Sequence, residues 1–133
     1  MTKDDLQTFL DENFADWVLD LKPTVTDAAV GTATLTIPVT DRIARVGGIV
    51  SGQALAALAD TAMVLATLTT PPEPTPVGTV TLDTQFLRPA TGDKIIAQAE
   101  VVRAGRSLAF LRATLTAEPS GKPVATATAT FAL

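Results

Sequence analysis

Residues 46–68 read VGGIVSGQALAALADTAMVLATL, and Asp60 is the only ionisable side chain among them. Ser51 is a suitable N-cap after a glycine-rich turn, and prolines follow the segment. The pattern therefore predicts one long helix over residues 50–69. Because this helix is apolar nearly all round and rich in alanine, we expect a sheet to enclose it closely.

Strands are predicted on both sides of this helix, because apolar and polar residues alternate there. Residues 28–39 predict one strand that ends at Pro38, followed by a loop over residues 41–48. After a proline-rich linker at residues 71–76, alternating segments cover residues 77–87, 93–103, 107–117 and 122–131. Turn signals separate these segments, so we expect an antiparallel meander over residues 76–133.

Residues 1–22 form an acidic N-terminal segment that is predicted to be helical. Thr2 can cap a helix whose first turn is acidic, and the apolar residues that follow share one face. Residues 17–21 fit either a short strand or a continuation of the helix. Residues 1–133 are thus predicted to form a single α+β domain, with a long central helix wrapped by a curved antiparallel sheet.

The composition excludes several kinds of chemistry. Cysteine and histidine are both absent from the 133 residues, which rules out thiolate nucleophiles, Ser-His-Asp triads and nearly all zinc sites. We therefore expect no metal and no organic cofactor. The net charge is -4 and no basic tract occurs, which argues against nucleic-acid binding.

The location of the protein is predicted from two features. The N-terminus lacks a signal-peptide core. The longest apolar stretch carries Ser51, Gln53 and Asp60, which indicates a buried helix and not a membrane span. We expect a cytoplasmic protein that does not associate with membranes.

Asp60 is the candidate catalytic residue. A carboxylate among apolar side chains loses hydration, and burying it without a partner is costly. A lone acid on an apolar helix, just after a glycine-rich turn, fits a general base or a nucleophile. The structural alternative is a buried acid that bonds to hydroxyl groups or pairs with Arg45.

Three segments together resemble the PaaI-type acyl-CoA thioesterases of the hotdog fold. In that family a turn Asn-x-Gly-Gly-x-x-His-Gly-Gly precedes a helix that carries Leu-Ala-Asp. Here residues 45–53 read RVGGIVSGQ, and Leu-Ala-Asp occupies residues 58–60. Residues 80–93 (VTLDTQFLRPATGD) and 101–110 (VVRAGRSLAF) resemble the family's later strands and turns.

The resemblance implies roles for particular residues. Asp60 would activate water or attack the thioester carbonyl, and the Gly52 amide would bind the oxyanion that forms. Thr79 matches a position that, in the family, holds the hydrolytic water from the neighbouring subunit. Because sites in this family lie between subunits, a homodimer or homotetramer is expected. Arginines near the strand ends would bind CoA phosphates, and these are Arg88, Arg103, Arg106 and Arg112.

The motif departs from the family at three positions. Arg45 replaces the asparagine, Ser51 replaces the histidine and Gln53 replaces the second glycine. We expect these side chains to contact the substrate, and Arg45 has the further option of pairing with Asp60.

The expected activity is hydrolysis of an acyl-CoA thioester to free acid and CoA. The alternative is a catalytically silent hotdog protein that binds acyl-CoA or a related acyl ligand, or that acts as an oligomeric scaffold. A hotdog dehydratase acting on hydroxyacyl thioesters is less favoured, because such enzymes normally pair a histidine with an acid.

Overall fold

A computed structural model describes residues 1–72 and 76–133. Two helices open the chain, α1 (Lys3–Asn13) and α2 (Asp16–Leu19), followed by strands β1 (Thr24–Ala29) and β2 (Thr32–Pro38). Two short strands, β3 (Ala44–Arg45) and β4 (Ile49–Val50), lead into helix α3 (Gly52–Leu68). Four long strands complete the fold: β5 (Gly78–Phe86), β6 (Lys94–Ala104), β7 (Leu108–Glu118) and β8 (Lys122–Ala132).

The main sheet is antiparallel, with strand order β1-β2-β6-β7-β8-β5, and α3 packs against it. Alternate residues of each central strand point at the helix and are buried, as in β8, where Ala125, Ala127, Ala129 and Phe131 form the inner face. These small residues let the sheet approach α3 closely. A helix wrapped by a curved antiparallel sheet confirms the predicted α+β architecture.

The long helix begins and ends where the sequence predicts. Its N-cap is Ser51, whose Oγ accepts a 3.2 Å hydrogen bond from the Ala54 N–H, and its C-cap is Thr69. The first helix, α1, is capped by Thr2 as expected. Residues 17–21 are mostly helical, since α2 covers Asp16–Leu19. No helix in the described part of the chain is long and apolar enough to cross a membrane.

Two strand predictions are wrong. The single strand expected over residues 28–39 is two strands, because Gly31 adopts a φ of 81° and reverses the chain between β1 and β2. The loop expected over residues 41–48 contains most of the small β3–β4 hairpin, whose turn includes Gly47 and Gly48.

The meander expected over residues 76–133 is shorter than predicted. Only β6, β7 and β8 follow one another in the sheet, while β5 lies on the far side of β8. Strand β6 pairs instead with β2, so the chain crosses from one edge of the sheet to its interior between β5 and β6. The proline-rich linker falls partly on residues 73–75, which lie outside the described residues.

Candidate active site

Helix α3 is not enclosed on every side, contrary to the expectation from its apolar sequence. Its residues are buried except along one stripe, which consists of Gly52, Gln53, Ala56, Ala57, Asp60 and Val64. These positions are spaced three and four residues apart and therefore lie on one face of the helix. We call this face the open stripe.

Strand β5 runs beside the open stripe in the opposite direction. Thr79, Leu82, Thr84 and Phe86 pair with buried residues of β8, so their side chains share the inner face of the sheet. Thr79 at the start of β5 reaches Asp60, and Phe86 at its end lies against Gly52. The two elements thus form a groove with a polar end at Asp60 and an apolar end at Gly52.

The polar end of the groove holds the Asp60 carboxyl group. Thr79 Oγ1 donates a 3.1 Å hydrogen bond to Asp60 Oδ1. Burial raises the pKa of the Asp60 carboxyl above its ordinary value, and the bond from Thr79 opposes that increase in part. Among the residues that the structure describes, no donor bonds to the other oxygen, Oδ2. A poorly hydrated carboxylate with one oxygen held in this way is suited to accept a proton.

Two expected partners of Asp60 are placed differently. Arg45 does not pair with Asp60, which has no salt bridge within residues 1–72 and 76–133. The hydroxyl beside the carboxyl comes from Thr79 of the same chain, whereas the resemblance implied a threonine contributed by the neighbouring subunit. The two residues meet because β5 is the strand that follows α3 and returns along it.

The apolar end of the groove contains the N-terminus of α3. Ala54 donates to Ser51 Oγ and Leu55 donates to the Ser51 carbonyl. The N–H groups of Gly52 and Gln53 make no hydrogen bond in the part of the chain that the structure describes. Two free amides at the positive end of a helix can bind a negatively charged oxygen.

A pocket of about 290 Å³ adjoins this helix end. Its walls are mainly apolar and its lining also includes Gly52 and two arginines, Arg45 and Arg88. The Phe86 ring also lines this pocket and lies beside Gly52, since its atoms would stand 3.3–3.7 Å from a Cβ at Gly52. Sequence reasoning missed Phe86, because only the pairing of β5 with β8 brings it to Gly52.

The remaining predicted binding residues are spread over the molecule. Ser51 is the N-cap of α3, so its hydroxyl is already engaged with the backbone. Gln53 is exposed on the open stripe, seven residues before Asp60. Arg88 Nη1 donates to the Pro123 carbonyl beside the pocket. Arg106 lies in the β6–β7 turn.

The arginines therefore do not form one phosphate site. Arg88 follows the end of β5, whereas the turn with Arg106 lies near the start of that strand, since Leu108 and Gly78 both pair with Ala132. Arg112 forms a salt bridge with Glu100 on the outer face of the sheet. Arg103 lies on the same face, opposite Phe110 of β7.

No group of three or more acidic residues in the described ranges could hold a metal ion.

The Gly52 amide and the Asp60 carboxyl group are far apart within one chain. Gly52 and Asp60 are eight residues apart on α3, which corresponds to about 12 Å along the helix axis. A single carbonyl group needs its oxyanion donor and its base within about 3 Å of the reacting atoms. One protomer therefore cannot apply both groups to the same carbonyl.

Comparisons with known proteins identify the family of this chain. A family model described as the acyl-CoA thioesterase N-terminal domain matches residues 40–132. None of the curated proteins compared with this sequence matches it.

Several solved structures share the fold over nearly the whole chain. A putative thioesterase from Silicibacter sp. is 29% identical with a TM-score of 0.88, covering 99% of this chain and 91% of that one. Thioesterase superfamily member 2 from zebra fish is 27% identical with a TM-score of 0.85, covering 98% of this chain and 94% of that one. A phenylacetic acid degradation-related putative thioesterase from Ralstonia eutropha is 26% identical with a TM-score of 0.82, covering 96% of this chain and 98% of that one.

Proposed function

This chain belongs to the acyl-CoA thioesterase family of hotdog proteins, and from that membership we propose that it hydrolyses an acyl-CoA thioester. The observation that carries the proposal is the Asp60 carboxyl group. It is half-buried on the open stripe, is hydrogen-bonded by Thr79 through one oxygen, and has a raised pKa. Such a carboxylate is a better proton acceptor near neutral pH than an exposed one.

In this mechanism, Asp60 Oδ2 accepts a proton from a water molecule as the water oxygen attacks the thioester carbonyl carbon. The carbonyl oxygen becomes an oxyanion, which a free amide at the start of α3 stabilises. The carbon–sulfur bond then breaks, and the proton on Asp60 passes to the departing CoA sulfur. Direct attack by Asp60 is the other option, which gives a mixed anhydride that water hydrolyses in a second step.

The distance between Gly52 and Asp60 favours a site built from two protomers. Because the two groups lie about 12 Å apart on one helix, the oxyanion donor and the base of one site come from different chains. Strand β5 supports this arrangement, since it is a nine-residue edge strand with eight exposed residues. The unpaired backbone groups of an edge strand of this length readily pair with a second copy. The homodimer is the minimal active unit in this proposal.

A second candidate is a binding protein without turnover. The pocket beside Gly52 and Arg45 exists independently of Asp60, and its lining differs from the family motif at Arg45. The exposed Gln53 side chain stands on the open stripe, where the family motif has glycine. These features are compatible with an acyl-CoA ligand that is held but not cleaved.

The deciding experiment measures thiol release from a panel of acyl-CoAs. Asp60→Asn should lower kcat at least about 100-fold, because the variant keeps an acceptor for Thr79 but cannot take a proton. The matched control is Asp27→Asn, an exposed acid on β1, which should leave kcat unchanged. Full activity in Asp60→Asn refutes the mechanism. Binding of acyl-CoA by calorimetry without any turnover selects the binding protein.

A further inference from the structure

We propose that Phe86 determines which acyl groups the site accepts, by limiting the space beside the N-terminus of α3. This inference rests on the proposed thioesterase function, which assigns no role to Phe86. It concerns the apolar end of the groove, where the acyl part of a thioester lies when its carbonyl oxygen contacts the free amides of Gly52 and Gln53.

The contact between Phe86 and Gly52 is the first observation. A Cβ built on Gly52 would lie 3.3 Å from Phe86 Cζ, 3.5 Å from Cε1 and 3.7 Å from Cε2. The rim of the ring therefore borders the space that a side chain at residue 52 would occupy. Phe86 and Gly52 both line the pocket, so the ring limits the space beside residue 52 within it.

The exposure of the ring is the second observation. Phe86 points to the inner face of the sheet, opposite buried Ala125, yet 56% of its surface is exposed. Leaving a phenyl ring in water at an inward-facing position forgoes hydrophobic stabilisation. The apolar side chains beside it, Ile49, Val50 and Leu55, line the same pocket. An apolar group seated there would cover both the ring and these walls.

The size of the pocket is the third observation. Its volume of about 290 Å³ is at the lower limit of the roughly 300–1,000 Å³ typical of small-molecule sites. With the ring in place, the pocket fits a short acyl group. We expect removal of the ring to open the pocket toward Ala56 and Ala57, whose small side chains follow Gly52 on the open stripe and would leave room for a longer acyl group.

The test compares the wild-type protein with Phe86→Leu and Phe86→Ala on a series of straight-chain acyl-CoAs. Phe86→Ala should shift the optimum of kcat/KM to longer chains, with a gain of about fourfold for each additional methylene group that the site can bury. The optimum chain length of Phe86→Leu should lie between those of the wild-type protein and Phe86→Ala. The control is Phe110→Ala, which removes a ring that is 39% exposed on the outer face of β7 and should keep the wild-type profile.

Two further measurements separate this inference from the proposed function. If no thioester is hydrolysed, calorimetric binding of non-hydrolysable thioether analogues should still show the shift to longer chains in Phe86→Ala. Sedimentation of each variant reports its oligomeric state. A chain-length profile that is the same in Phe86→Ala and wild type overturns the inference. The inference is also overturned if the wild-type protein binds no analogue, or if the only effect of Phe86→Ala is dissociation of the oligomer.

Discussion

Thr79 and Asp60 are joined within one chain by a 3.1 Å hydrogen bond, which Thr79 Oγ1 donates to Asp60 Oδ1. This bond connects the start of the edge strand β5 to the middle of α3. It orients the carboxyl group along the groove, and it favours the ionised form of Asp60 against the burial that disfavours it. Both effects can be separated by experiment.

Removing the hydroxyl of Thr79 should shift the pH dependence of activity. In Thr79→Val the carboxyl loses the bond that lowers its pKa, so the pKa of Asp60 should rise further. Because the ionised form is the base, activity is lost as the pH falls through this pKa, and the acidic limb of kcat should move to higher pH. Thr81→Val, on the outer face of the same strand, is the control. An acidic limb that stays in place would mean that Asp60 is not the titrating base.

Replacing Asp60 should make the fold more stable at neutral pH. The folded-state pKa of Asp60 is raised above the ordinary value of 3.8, so its contribution to stability is present below pH 3.8 and is lost as the pH rises through the folded pKa. Asp60→Asn avoids that loss, and we expect a gain of about 0.5–2 kcal/mol in the free energy of unfolding at pH 7.

Urea denaturation of Asp60→Asn and wild type at a series of pH values measures this gain, which should shrink as the pH approaches 3.8. Asp27→Asn should change stability by less than about 0.5 kcal/mol throughout. A gain that persists undiminished at acid pH would contradict the explanation by burial of charge.

Mixing two inactive variants should restore activity if each site takes groups from two chains. Gly52→Pro removes the amide at the first helical position, where proline is tolerated, and should cost about 10²–10³ in kcat. In mixed dimers with Asp60→Asn, one site receives an intact Gly52 from one chain and an intact Asp60 from the other. Equal amounts should recover about a quarter of the wild-type rate, since half of the dimers are mixed and each has one intact site.

The control for this mixture is Gly52→Ala, which adds a Cβ but keeps the amide. Its rate shows how much of the loss in Gly52→Pro comes from crowding of the Phe86 ring. Tagged chains show whether mixed dimers have formed. If they have formed and activity is not recovered, a site shared between Gly52 and Asp60 of different subunits is excluded.

A backbone contact near the turn after β5 should be intolerant of any side chain. Gly92 has a φ of 119°, and a Cβ there would lie 2.2 Å from the carbonyl oxygen of Glu118. We expect Gly92→Ala to lower the free energy of unfolding by at least about 2 kcal/mol. Gly78→Ala, with no atom within 4 Å of the added carbon, should cost less than about 0.5 kcal/mol. Thermal or urea unfolding of both variants is sufficient, and equal losses would contradict this account.

The sequence alone determined the features that depend on residues close together along the chain. Helix α3 follows from a run of apolar residues between the Ser51 cap and the prolines, and the position of Asp60 on that helix follows from its spacing. The strands after the helix were located to within a few residues by alternation. Gly31 also carries a local signal, since its conformation divides one expected strand into two.

Tertiary structure decided the features that depend on which strands become neighbours. Alternation places a residue on one of two faces but does not choose the strand that pairs with it, so the position of β5 beside β8 could not be predicted. That pairing brings Thr79 to Asp60 and Phe86 to Gly52, and it leaves one stripe of an apolar helix uncovered. The sequence identified the carboxylate, and long-range packing determined its hydroxyl partner and the ring at the other end of its groove.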